Sequence, residues 1–185
     1  MNIGLKTSEE QLILNLQDKA TRDSAFRELV GLYKERLYWH IRNMVKDHDD
    51  TDDVLQNTFI KIFKNIEGFK GDSKLFSWMY RIATNEAINH LNQKARKLNI
   101  NSEELQEQLV NNLQSDVYFE GDEIQLKLQQ AIASLPDKQQ LVFNMKYFQE
   151  LKYQEISDIL GTSEGALKAS YHIAVKKVED FLKGN

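Results

Sequence analysis

The chain has no cysteine, one proline and eight glycines in 185 residues. The first absence excludes disulfides, cysteine-rich zinc sites and thiol catalysis, and it fits a reducing compartment. Scarce proline and glycine, with abundant Leu, Lys, Glu and Gln, favour an all-α chain. No apolar run approaches the roughly 18 residues that a membrane span needs, and the opening stretch MNIGLKTSEEQLILNLQDK lacks the basic start and apolar core of a leader. A cytoplasmic protein is expected. The chain also lacks a Gly-rich phosphate loop, a nucleophile elbow and a two-histidine zinc helix. Accordingly, no enzyme, no catalytic residue, no cofactor and no small-molecule substrate are expected.

The run DHDDTDD at residues 47–53 invites a calcium loop, but Asp52 stands where such a loop needs glycine and Thr58 where it needs glutamate. Glu86 and His90 lie one turn apart with no further ligands in the pattern, so no metal site is expected. The formal net charge of -4 is unevenly spread. Residues 98–127 carry seven acidic groups and one basic group, whereas residues 70–97 carry six basic groups and two acidic ones. Phosphate affinity follows such local patches rather than the total.

Phe26, Leu29, Val30, Tyr33, Leu37, Ile41 and Met44 follow three- and four-residue steps, which predicts a helix over about residues 23–46. A second begins after Asp50, with acids in its first turn, and should bury Val54, Leu55, Phe59, Ile62, Phe63 and Ile66. Gly68 and Gly71 break the chain before a third, over about residues 73–96. Between 98 and 122 the pattern fades into Asn, Gln and acid, which predicts a linker with one weak helix near residues 102–109. A helix over about residues 123–134 follows, and Pro136 suits the first turn of the next. Residues 141–148 would serve as a strand by propensity, but their setting favours helix.

The last block, YQEISDILGTSEGALKASYHIAVKKVEDFL, has the form of helix, tight turn at Gly161, helix. Leu167, Tyr171, Ala174, Val178 and Phe181 form its expected buried seam. That seam leaves Ala166, Lys168, Ala169, His172 and Lys176 free to meet DNA. Far upstream, FKGDSKLFSWMYRIATNEAI sets Phe69, Phe76, Trp78 and Tyr80 among Lys70, Lys74, Arg81 and Asn85. Both a core helix and a platform for stacking flat, anionic partners are consistent with that mixture.

The combination resembles the bacterial sigma factors of the extracytoplasmic function (ECF) group. The stretch AFRELVGLYKERLYWHIRNMVKDHDDTDDVLQNTFIKIFKNI is similar to their polymerase-binding segment, and the aromatic stretch to their promoter-melting segment. Leu135-Pro136 followed by YQEISDILGTSEGALK adds their second domain in the expected order. The resemblance implies two small helical domains, residues 1–97 (sigma region two) and 123–185 (sigma region four), joined by an acidic linker, 98–122. It implies core RNA polymerase, promoter DNA and an anti-sigma factor as partners.

By the same resemblance, the loop Lys70 to Ser77, with Ser73 and Lys74, and the helix with Phe76, Trp78, Tyr80, Arg81 and Asn85 would hold unpaired minus-ten DNA. Asn85 would read an extruded base, and Lys94, Arg96 and Lys97 would hold phosphates. Asp53, Gln56, Asn57 and Ile60 would dock on the polymerase, although the family usually has an acid where Asn57 stands. Lys146, Ala166, Lys168, Ala169, His172 and Lys176 would meet the minus-thirty-five element. Ser170, Ile173 and Val175 replace arginines common there, which predicts weaker or differently specified upstream binding. The acidic linker would cross the polymerase toward the RNA path, through Glu103, Glu104 and Glu107. In the free chain it would fold over the basic surfaces.

Plainer roles compete. Trp78 and Tyr80 suit a core, Asn85 a solvated face, and Lys94, Arg96 and Lys97 a helix end whose dipole favours cations. Two other functions also fit parts of the pattern: a helix-turn-helix regulator acting without polymerase, and a helical adaptor that binds only protein. Neither needs a basic aromatic loop beside a reading amide.

Overall fold

The computed structural model describes residues 3–113, 115–116 and 121–184, with side chains from residue 9 onward. Residues 114 and 117–120 of the expected linker lie outside these. Every regular element among the described residues is helical. α1 (Ile3–Gln17) is not anticipated by the periodicity, because its QLILNL run suits a strand as well as a helix. Packing decides: Leu12 and Leu16 are buried against the next helix, and Gln17 Nε2 donates to Phe69 O at 2.8 Å.

α2 (Arg22–Val45) buries Ala25, Leu29, Leu37, Ile41 and Met44 along one stripe and ends where Lys46 turns left-handed. α3 (His48–Asn65) starts on Asp47, whose carboxylate accepts from the Asp50 amide at 2.8 Å, with Asp49 and Asp50 in the favourable first turn. Its Val54, Leu55 and Ile62 are buried as the pattern predicts, and Phe59 and Phe63 meet Phe26 edge to face. A 3-10 turn, Ile66–Gly68, leads through Gly71, whose φ of 77° suits glycine, to α4 (Leu75–Leu98).

α5 (Ser102–Leu113) makes the connector more than a linker. Leu105, Leu109, Val110 and Leu113, at helical spacing, are all buried, while Glu103, Glu104 and Glu107 face solvent. α6 (Glu123–Ala133) and α7 (Asp137–Tyr147) follow, the latter covering the stretch with strand propensity. α8 (Tyr153–Leu160), the turn at Gly161 with φ 65°, and α9 (Glu164–Lys183) complete the helix-turn-helix. In α9, Leu167, Ala174 and Val178 are buried. Phe181 departs from the expected seam, being 38% exposed in the last turn of α9.

The two halves share apolar surface. One cluster runs from Leu16, Leu37, Met79 and Ala87 into Val142 and Met145 of α7, Ile156 and Ile159 of α8 and Leu167 of α9. A smaller one, around Ile132, Phe143 and Val178, belongs to α6, α7 and α9. Polar ties cross the same junction. Asn144 Nδ2 donates to Asn43 O at 3.4 Å, Lys46 Nζ to Gln129 Oε1 at 3.0 Å, and Arg42 pairs with Asp116. α8 and α7 therefore lie directly on α4 and α2.

Candidate nucleic-acid interface

Lys74, Trp78, Arg81 and Asn85 are spaced by four, three and four residues, which places them on one face of α4. Asn85 is exposed there, Trp78 is half-buried with its ring 5.2 Å from Phe69, and Lys70 extends from the preceding loop with Ser73 partly covered. Phe76 and Tyr80 point elsewhere. They are 8% and 1% exposed, 4.1 Å apart, with Arg36 over the Phe76 ring and the Tyr80 hydroxyl donating to Arg36 O at 3.3 Å. Burial pushes the Tyr80 phenol up to about 12, so it stays protonated. Of the expected stacking platform, Phe76 and Tyr80 thus serve the core in this conformation, because helical spacing turns them toward α2.

The basic cluster at the end of α4 divides in the same way. Arg96 and Lys97 are exposed in the last turn, where they also complement the helix dipole. Lys94 is bound to Asp50 of α3, which also lies 3.2 Å from His90 Nε2. Burial alone would push the Asp50 carboxyl up, but the hydrogen bond from Lys94, with His90 close by, overcomes it and holds the group below its ordinary value. The stability this contributes is present above pH 3.8, the ordinary value, and lost as pH falls through the depressed one. Asp50→Asn should therefore cost about 1 kcal/mol or less at neutral pH, since the pair is partly solvated. Its thermal midpoint should also lose part of the wild-type acid sensitivity, which a melting series from pH 7 to 3 would measure.

What touches this face of α4 is α8 rather than the acidic linker, although Lys74, Arg81 and Asn85 all stay exposed. Arg81 donates to the Asp158 carbonyl, and Lys74 Nζ lies 3.9 Å from Glu155. An acidic helix thus occupies two of the cations expected to meet DNA. The linker's share is Asp116, paired with the buried Arg42, and α5 itself packs on α6 and the far end of α4. No sequence signal marks Glu155 and Asp158 for this role, because their partners lie 81 and 77 positions away.

α9 is open. Ala166, Lys168, Ala169, His172 and Lys176 are all exposed along it, and the Ser163 hydroxyl caps its start by accepting from Ala166 N at 3.4 Å. Lys168 lies 3.7 Å from Glu164 and over the Tyr153 ring at 5.6 Å. Lys146 is set apart from this row. It donates to Leu151 O at 3.1 Å and covers the other approach to Tyr153 at 5.1 Å, so it holds the α7–α8 loop. On α3, Asp53, Gln56, Asn57 and Ile60 form an exposed stripe opposite the buried Val54, Leu55 and Ile62, with Ile60 43% exposed. The pattern omits a second exposed apolar pair, Leu32 and Trp39 on α2, two turns apart.

Comparison with known proteins matches this arrangement in order. The family model Sigma-70 region 2 matches residues 29–97, and Sigma-70, region 4 matches residues 125–178. The chain is 30% identical over 164 residues to the ECF RNA polymerase sigma factor SigW of Bacillus subtilis, covering 84% of this chain and 88% of that one. It is 27% identical over 194 residues to the RNA polymerase sigma-H factor of Pseudomonas aeruginosa, covering 95% and 94%. Among solved structures, CnrH in complex with the cytosolic domain of CnrY superposes with a TM-score of 0.70 at 19% identity, covering 96% of this chain and 98% of that one, a likeness of fold. With α3, α4 and α9 where the two matched regions fall, the chain belongs to the ECF family of RNA polymerase sigma factors.

Proposed function

We propose that this chain is a promoter-specificity subunit: it binds core RNA polymerase through the α3 stripe, opens the minus-ten element with α4 and its preceding loop, and contacts the minus-thirty-five element with α9. The observation that carries this is the presence, in one chain and in order, of both matched regions with the α3 stripe and the α9 row exposed. Residues 1–97 and 123–185 act as the two working units and residues 98–122 as their connector. The chain acts in the cytoplasm, carries no catalytic residue, and is held in check by an anti-sigma factor, as the structural relatives solved with anti-sigma partners suggest.

Co-elution of the purified chain with bacterial core polymerase, with DNA binding by the free chain checked at the same salt, tests the reading. Stoichiometric co-elution with little free DNA binding is expected, since α8 engages Lys74 and Arg81. Tight duplex binding without co-elution would instead favour a free-standing regulator, and failure of both an adaptor. Upstream binding should be weak. Of the exposed α9 row only Lys168 and Lys176 are long cations, so Lys168→Ala should reduce holoenzyme affinity for an upstream duplex by only about two- to fivefold and lower its salt dependence. Footprinting across a salt series measures both.

A further inference from the structure

His40 is the one histidine of the four that is fully buried, and it sits where the two halves of the chain meet. Its ring, on α2, stacks 4.7 Å from Tyr80 of α4. Nε2 lies 2.8 Å from Thr84 Oγ1, and Nδ1 lies 3.0 Å from Gln149 Nε2 in the loop between α7 and α8. The surrounding bonds fix the tautomer. Thr84 Oγ1 donates to Tyr80 O at 2.7 Å, so it accepts from His40 Nε2–H, and Nδ1 is left bare to accept from the Gln149 amide. The neutral ring therefore links both halves with every ring nitrogen used.

We propose that His40 is an acid-released latch: neutral, it holds the α7–α8 loop and α8 down on α4, and protonated, it lets them go and frees Lys74 and Arg81 from their α8 contacts. A proton on Nδ1 would face the Gln149 amide hydrogens. Turning that amide would present Oε1, which is buried without a partner among the described residues, but the imidazolium would still have no counter-charge. The neighbouring charges are committed elsewhere. Arg36 on α2 covers Phe76, Arg81 on α4 binds the Asp158 carbonyl, and Lys146 of α7 binds Leu151 O. Glu155 of α8 faces Lys74, the Asp158 carboxylate accepts from Gln154, and Glu150 beside Gln149 is solvent-exposed. Tyr80 is neutral.

Burial pushes the ring from 6.5 down to about 4, against an upward pull from the Gln149 hydrogen bond. The sign follows. Opening returns the ring to water, the open form binds the proton more tightly, and the closed form loses ground as pH falls from about 6.5 toward about 4. Between roughly pH 7.5 and 5.5 the opening constant should rise about tenfold. Lys46, the other buried cation at the junction, is lowered to about 8 by burial and by Arg42, so it is charged through most of that window. The latch concerns how the two halves pack and stands apart from the function proposed above.

The absence of cysteine makes the test direct. Ser77 is fully buried on α4, one turn from both Lys74 and Arg81, the two residues that contact α8, so Ser77→Cys places a single buried thiol beside that contact. Its rate of reaction with 4,4′-dithiodipyridine, divided by that of the same chain unfolded in urea at each pH, reports opening. We expect that ratio to rise about tenfold from pH 7.5 to 5.5, to stay nearly level in an added His40→Gln, and to be raised already at neutral pH in an added Gln149→Ala. A level wild-type ratio, or an equal rise with His40→Gln, would overturn the latch. Far-ultraviolet circular dichroism confirms that each variant is folded, and should His40→Gln fail to fold, the wild-type and Gln149→Ala profiles still decide.

Discussion

Truncating Ile60 and Asp53 together to alanine should weaken association with core polymerase by about 100-fold. The two lie on the exposed stripe of α3, seven residues apart, with Gln56 and Asn57 between them. Ile60 is 43% exposed on a helix whose apolar residues otherwise turn inward, and an aliphatic side chain kept in water on one polar face is what a docking surface needs at its centre. Interface residues that matter cost more than about 1 kcal/mol each when truncated, and at about 1.4 kcal/mol apiece each is a factor of ten. Two of them give the expected factor. The fold should be indifferent, because the opposite face holds Val54, Leu55 and Ile62 in the core and neither truncated side chain touches it. Unchanged circular dichroism and melting, with loss of co-elution, would be the full result. Unchanged polymerase affinity would mean that the docking face lies elsewhere, and the exposed Leu32 and Trp39 of α2 would be tested next.

That stripe was legible in the sequence because a helix declares its faces at steps of three and four, and Val54, Leu55 and Ile62 mark the inside of α3 without help from tertiary structure. The same logic located α2, α4 and the turn at Gly161. It was silent on α1, where QLILNL offers no single face and only contact with α2 selects helix. It also judged α5 weak, because four buried aliphatics among acids and amides look sparse until α6 and α4 are set beside them. The candidate DNA surface was legible as a set of residues but not as a surface. Steps of four, three and four gather Lys74, Trp78, Arg81 and Asn85, whereas Phe76 and Tyr80 fall on the stripe that faces α2. Contacts between the halves were out of reach for a simple reason. His40 and Gln149, 109 positions apart, carry no local signature of each other.

Asn85→Ala should lower the extent of promoter opening by about tenfold while leaving polymerase affinity unchanged. The amide is exposed on the same face of α4 as Trp78, Lys74 and Arg81, so a base displaced from its stack would meet an aromatic surface, cations and a group able to donate and accept at one edge. A well-placed side-chain amide discriminates a base by about 1–3 kcal/mol, and about 1.4 kcal/mol, toward the lower end of that range, is the tenfold factor expected. The effect belongs to opening rather than assembly, since Asn85 is remote from the α3 stripe along the chain and shares no bond with it. Permanganate reactivity of unpaired thymines, read beside co-elution, separates the two steps. Phe76→Ala and Tyr80→Ala make the contrast: both rings are buried against Arg36 and α2, and their loss should lower the melting temperature before it alters any base preference. A permanganate pattern and base preference untouched by Asn85→Ala would assign that amide to the solvated surface and leave the reading to Trp78 and the loop before it.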